Sequence, residues 1–190
     1  DKLTVNGRTV YGWVEEGLQG WIPMGRVSDT QQETPVYSTT KQLSTTGEIT
    51  GTTNAAIDAV NAVNGGKVVF RLKSGATIYT DELRLEAGYV WGKVTSTDNV
   101  EGWIKMNAVT YTIEGTTTTE LNVRTTKDTS DEKNVLGTLA SGAVVTLCEL
   151  SFDSMGALWG KVSDAGAVGS ALNGGFVKMQ YVTLYANILK

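Results

Sequence analysis

Apolar and polar residues alternate in short runs along most of this chain, and Gly, Ser and Asn punctuate the runs. A period of two marks half-buried β-strands, because side chains at i and i+2 share a face. The clearest runs predict strands over residues 66–72, 76–80, 89–95, 101–106 and 109–113, with Lys73-Ser74-Gly75 as a turn. Asn6-Gly7, between Leu3-Thr4-Val5 and Thr9-Val10-Tyr11, predicts a hairpin. Residues 54–63 carry four alanines, yet they align with Leu121-Asn122-Val123-Arg124, which has no helical pattern, so no helix is expected there. The Ser-, Thr- and Gln-rich stretch 28–45 predicts a linker with one short strand near Val36-Tyr37.

Alternation also assigns faces. Trp91 shares a face with Lys93, and Gly92 and Val94 share the other. A lysine belongs in water, so Val94 is expected in the core and Trp91 on the solvent side. The same logic puts Trp159 beside Lys161, and Trp103 beside Glu101 and Lys105, while Ile104 and Met106 point inward. A solvent-side tryptophan can lie flat over neighbouring loops, serve as a ligand platform, or pack against another chain. All three remain open from these residues.

One short pattern occurs three times. Gly20-Trp21-Ile22-Pro23-Met24 with Val27, Gly102-Trp103-Ile104-Lys105-Met106 with Val109, and Gly175-Phe176-Val177-Lys178-Met179 with Val182 keep the same spacing. Upstream of each lies Val10-Tyr11-Gly12-Trp13-Val14, Val90-Trp91-Gly92-Lys93-Val94 or Leu158-Trp159-Gly160-Lys161-Val162, with Tyr11 in the tryptophan position. Further upstream only two copies align, and the growing offset places insertions in loops at 127–133 and 163–174. The predicted organisation is a partial repeat over 1–27 holding the closing half only, a linker over 28–45, and full repeats over 46–111 and 112–190. Such periodicity means an array of similar units.

Composition narrows the chemistry. Among 190 residues there is no histidine and a single cysteine, Cys148. The commonest general base and metal ligand is therefore missing. No intrachain disulfide can form, and Cys148, within an apolar strand-like run, reads as a small buried residue. The adjacent pairs Glu15-Glu16, Asp81-Glu82 and Asp131-Glu132 read as solvated turns, since neighbours on a strand point to opposite faces. No catalytic residue, metal site or cofactor is expected. The net charge of −4, without a basic stripe, argues against nucleic acid. No apolar run approaches the ~18 residues of a membrane-spanning helix.

The order of these motifs resembles the bacterial SH3 domain family (SH3b). Leu121-Asn122-Val123-Arg124, Val135-Leu136-Gly137-Thr138-Leu139 followed by Gly142, Trp159-Gly160-Lys161-Val162, and the closing Gly-aromatic-Val turn all occur in the family's sequence. The second repeat departs at its opening, where Ile57-Asp58-Ala59-Val60 lacks the Asn and Arg. Gly20-Trp21-Ile22-Pro23 also resembles the closure of eukaryotic SH3 domains, but the groove tyrosine of that family is matched only by Tyr181, with Arg26 and Ala108 at the other copies. The resemblance implies an all-β fold of tandem small five-stranded SH3-like barrels with an N-terminal partial repeat. The likeness to eukaryotic SH3 domains places Trp91, Trp159 and Tyr11 where that family's binding-groove tryptophan lies.

By that resemblance the expected function is a non-catalytic module, extracellular or at the cell surface, that binds peptidoglycan or another cell-wall component. Trp91, Trp103, Trp159, Tyr181, Tyr11 and Trp21 are the candidate ligand-binding residues. The alternative is a structural spacer or protein-interaction module that self-associates through the incomplete N-terminal repeat, because an unpaired strand edge recruits other chains. Neither nucleic acid nor membrane insertion is expected.

Overall fold

In the computed structural model, residues 3–6, 9–14, 20–26, 33–43, 48–166, 169–185 and 188–189 are described. Gly7, Glu15, Glu16 and Val27, named above, lie outside them. Two units are distinguished, Asp1–Glu33 and Thr34–Lys190.

The first unit is a three-stranded antiparallel meander of β1 (Leu3–Asn6), β2 (Thr9–Val14) and β3 (Gly20–Arg26). Asn6 stands opposite Thr9, the pairing expected for the hairpin.

The second unit holds two curled, barrel-like sheets. The first is built from β4 (Val36–Thr39), β5 (Ile49–Thr53), β6 (Ile57–Val60), β7 (Val68–Thr80), β8 (Leu83–Glu86), β9 (Tyr89–Thr95), β10 (Glu101–Lys105) and β11 (Val109–Tyr111). Its hydrogen-bonded path runs β11-β5-β7-β6-β10-β9-β8, and β4 adds in parallel to β7. The second comprises β12 (Ile113–Thr117), β13 (Leu121–Arg124), β14 (Val135–Leu139), β15 (Val144–Phe152), β16 (Leu158–Asp164), β17 (Phe176–Lys178) and β18 (Val182–Leu184). Its path is β14-β13-β17-β16-β15-β12-β18. The described residues form strands, turns and short 3-10 turns, with no α-helix among them. Residues 57–60, inside the alanine-rich stretch, are a strand, as the alignment required.

The repeated motif is repeated geometry. Trp91 stands opposite Lys105, Trp159 opposite Lys178, and Tyr11 opposite Pro23. Two residues on, Lys93 faces Trp103, Lys161 faces Phe176, and Trp13 faces Trp21. In both barrel-like sheets the glycine after the tryptophan has a packing reason. A Cβ on Gly92 would lie 2.6 Å from the Met106 sulfur, and one on Gly160 2.7 Å from that of Met179. The recurring Gly and Met are two sides of one contact.

One expectation is corrected. The predicted turn at Lys73-Ser74-Gly75 does not end a strand: β7 runs unbroken across it. The Thr53 hydroxyl donates to the Lys73 carbonyl at 2.6 Å and accepts the Ala76 N–H at 2.9 Å, so the bend is bridged by a side chain. Thr117 makes the equivalent pair with Ala140 and Ala143, but there the chain does separate into β14 and β15.

The cores of the two sheets merge. Phe70, Leu72, Ile78, Val94, Ile104 and Met106 fill the first, and Val123, Leu139, Leu147, Val162 and Val177 the second, within one continuous buried cluster. Tyr111, Ile113 and Leu150 belong to it too. Leu83 donates its N–H to the Ile188 carbonyl at 2.7 Å, so the segment 188–189 returns to the edge of the first sheet.

Candidate functional site

The six candidate residues fall on three different sheets, two on each or just beside it. Tyr11 and Trp21 lie on the N-terminal meander. Tyr11 is half-buried, whereas Trp21 is 43% exposed and meets Trp13 edge-on, ring centres 5.3 Å apart. Such aromatic pairs favour edge-to-face contact.

Trp91 and Trp103 lie on the first barrel-like sheet. Alternation placed them correctly on the face away from Val94 and Ile104. Of the readings left open for that face, cover by other parts of the chain holds: each is only 7% exposed. The chain's own cations cover them. The Arg84 guanidinium lies 4.5 Å from the Trp103 ring centre. The Lys105 ammonium lies 3.5 Å from the Tyr89 ring centre and 5.4 Å from that of Trp91. Tyr89 meets Trp91 edge-on, and the Trp91 indole N–H donates to the Glu86 carbonyl at 3.2 Å. The β8–β9 hairpin supplies Arg84, Glu86 and Tyr89, so it acts as a lid on this face. Each cation–ring contact stabilises the closure by about 0.5–2 kcal/mol.

The second barrel-like sheet differs. Trp159 and Tyr181 line one cleft of about 410 Å³ together with Thr119, Glu120, Leu121, Asn122, Arg124, Thr129 and Lys178. Trp159 forms its floor. It too lies under cover, at 2% exposed. Its indole N–H donates to Asp153 Oδ2 at 2.8 Å. Asp153 Oδ1 accepts the N–H groups of Met155 and Ala157, both at 2.9 Å. That bond from Trp159, reinforced by the Ala157 N–H, holds the Asp153 carboxyl below the usual carboxylate range; the Lys178 charge adds to the effect. The tryptophan is thus held at its ring edge. Tyr181, from the 3-10 turn before β18, is 38% exposed and forms an accessible aromatic wall.

Arg124 reaches the cleft from the end of β13, with two of its five N–H donors used within the protein. Nη1 donates to Asn134 Oδ1 at 2.7 Å and to the Asp131 carbonyl at 3.0 Å. Glu132 lies 3.6 Å from Nη2. Lys178 is different: among the described residues no carboxylate stands within ion-pair distance of it.

Sequence reasoning missed Lys178, Glu120 and Asp153. Lys178 was noted only as a position of the repeated motif. Arg124 was noted as part of a motif but not as a cleft residue. Among the described residues no three His, Cys, Asp or Glu side chains are grouped to hold a metal ion. No buried side-chain nitrogen or oxygen among them lacks a hydrogen-bond partner. The cleft therefore offers an aromatic floor and wall, a cation and a rim carboxylate, which suits binding.

No family model matches the chain, and neither does any curated protein. Among solved structures, NlpC2 from Trichomonas vaginalis is similar at 15% identity and a TM-score of 0.31, covering 73% of this chain and 48% of that one. NlpC1 from the same organism shows 14% identity and a TM-score of 0.31, covering 76% and 48%. A structure described as an autolysin from Listeria monocytogenes shows 13% identity and a TM-score of 0.27, covering 77% and 66%. The chain thus spans about half the length of the two Trichomonas proteins.

Proposed function

We propose that this chain is a non-catalytic binding module, built from bacterial SH3-like repeats, that attaches a surface or secreted protein to peptidoglycan or another cell-wall component. One observation carries the binding reading: on the second barrel-like sheet Trp159, Tyr181 and Lys178 line the same open cleft. The cell-wall target and the extracellular setting follow from the family resemblance of the repeats. The repeat boundaries at 46–111 and 112–190 belong to the same proposal.

Co-sedimentation with purified peptidoglycan sacculi tests it. Tyr181→Ala is the suitable variant, because Tyr181 is accessible, whereas removing the buried Trp159 would disturb the fold. Tyr185→Ala, at a 68% exposed residue that does not line the cleft, is the control. Binding retained by the control and lost by Tyr181→Ala supports the module. Absence of wild-type binding sinks it.

The alternative, a spacer or interaction module that self-associates, is favoured by Trp21, an exposed aromatic on a meander whose outer strands β1 and β3, among the described residues, pair only with β2. Sedimentation equilibrium decides: a concentration-dependent dimer abolished by Trp21→Ser would support it.

A further inference from the structure

The two barrel-like sheets carry the same lysine in the same register, with opposite fates. Lys105 stands opposite Trp91, and Lys178 opposite Trp159. Two residues before each tryptophan stand Tyr89, the first residue of β9, and Ala157, just ahead of β16. The Tyr89 ring captures the Lys105 ammonium at 3.5 Å. Ala157 offers no ring, and Lys178 lines the cleft beside Tyr181. At the position of Tyr181 the repeat over 46–111 has Ala108. One aromatic exchanged in each direction has thus closed one groove and opened the other.

We infer that Lys178 is the specificity-determining residue of the second cleft, holding a carboxylate of the ligand, and that the equivalent groove of the first barrel-like sheet is occupied by the chain's own Lys105 and Arg84. This inference rests on the proposed binding role of the cleft. An ammonium with no carboxylate at ion-pair distance among the described residues forms a charge-assisted hydrogen bond with an incoming carboxylate. Arg124 adds positive potential, but its Nη1 donors are engaged within the protein and Glu132 lies 3.6 Å from Nη2. Glu120 on the rim disfavours a second anionic group, so the fitting ligand bears one carboxylate at its end. The terminal carboxylate of a short peptide and the acid of an acidic amino sugar share this chemistry.

Four probes distinguish the sources: tetra-alanine, tetra-alanine amide, N-acetylmuramic acid and N-acetylglucosamine. Each is titrated into the whole chain while the Trp159 indole N–H resonance is followed, with sacculi sedimentation in parallel. A peptide ligand predicts that tetra-alanine moves the resonance and its amide binds about tenfold more weakly or less. A sugar-acid ligand predicts that N-acetylmuramic acid does so and N-acetylglucosamine does not. Lys178→Met should erase the preference for the acid while leaving the folded spectrum intact. Ala157→Tyr should also weaken acid binding, by capturing Lys178 as Tyr89 captures Lys105.

Equal binding of acid and neutral forms, or a preference that survives Lys178→Met, overturns the inference. So does Tyr181-dependent sedimentation with sacculi when both acids are silent, an outcome that leaves the wall-binding reading standing. Acid-selective binding without sedimentation does the reverse. A folded Ala157→Tyr variant with undiminished acid binding overturns the self-occupation of the first groove.

Discussion

The Tyr111 hydroxyl accepts the backbone N–H of Leu150 at 3.0 Å, tying the last strand of the first barrel-like sheet to the longest strand of the second. Both residues are buried, at 4% exposed. The bond satisfies a donor that would otherwise lie in an apolar seam. Tyr111→Phe keeps the ring and strands that N–H. It should destabilise the protein by about 1–3 kcal/mol in urea unfolding. A variant as stable as wild type would show that the joint does not depend on this bond.

The same residue makes stability fall at alkaline pH. Burial pushes the Tyr111 phenol up to about 12. Free tyrosine titrates near ~10, so above that pH the unfolded chain releases a proton that the folded chain retains. Its contribution is fully present below about pH 10 and is lost as pH rises toward 12, on the order of 2 kcal/mol in total. Urea midpoints measured from pH 8 to 11.5 should drop more steeply for wild type than for Tyr111→Phe. Parallel slopes would contradict this.

The recurrent glycines separate two similar substitutions. A methyl on Gly92 meets mainly the Met106 sulfur, and a thioether can swing aside. One on Gly160 meets the Met179 sulfur at 2.7 Å and also Leu147 Cδ1 at 2.8 Å. Both variants should lose stability, and Gly160→Ala should lose more, within about 1–3 kcal/mol for overpacking. Thermal unfolding of the two variants gives the order. The reverse order would mean that Leu147 yields more readily than its burial implies.

What the sequence revealed was what alternation and repetition encode. Strand positions, the facing of Val94 and Ile104 and the repeated register all follow from period two and from the motif spacing. The linker strand at Val36-Tyr37 was read from local propensity alone, and β4 lies there. The exposure of Trp91, Trp103 and Trp159 was not legible. Alternation assigns a side of the sheet; it does not say what lies over that side. Arg84 comes from another strand and Asp153 from a turn, so neither cover follows from the local pattern. The cleft was half legible for the same reason. Trp159 and Tyr181 stood out as aromatics, whereas Lys178 looked like Lys105 until the ring at Tyr89 and the missing ring at Ala157 set them apart.

Arg124 holds the inserted loop 127–133 in place. The insertion was visible as a growing offset between repeats, but not the device that orders it. The guanidinium donates to Asn134 and to the Asp131 carbonyl, and Asn134 Nδ2 donates to Thr126 Oγ1 at 2.9 Å and the Asp128 carbonyl at 2.8 Å. One buried pair therefore satisfies groups at three other loop positions. Glu132, whose side chain is 80% exposed, adds an ion contact at 3.6 Å that solvent screens. Arg124→Leu should cost about 2–3 kcal/mol, since it leaves Asn134 and a carbonyl without their charged donor. Glu132→Gln should stay within about 0.5 kcal/mol of wild type. Hydrogen exchange gives the sharper readout: amides of 125–134 should lose protection in Arg124→Leu while those of β5 to β11 keep theirs. Uniform loss across both sheets would mean that Arg124 acts on the core and not on the loop. Unchanged loop protection would mean that the insertion orders itself without the arginine.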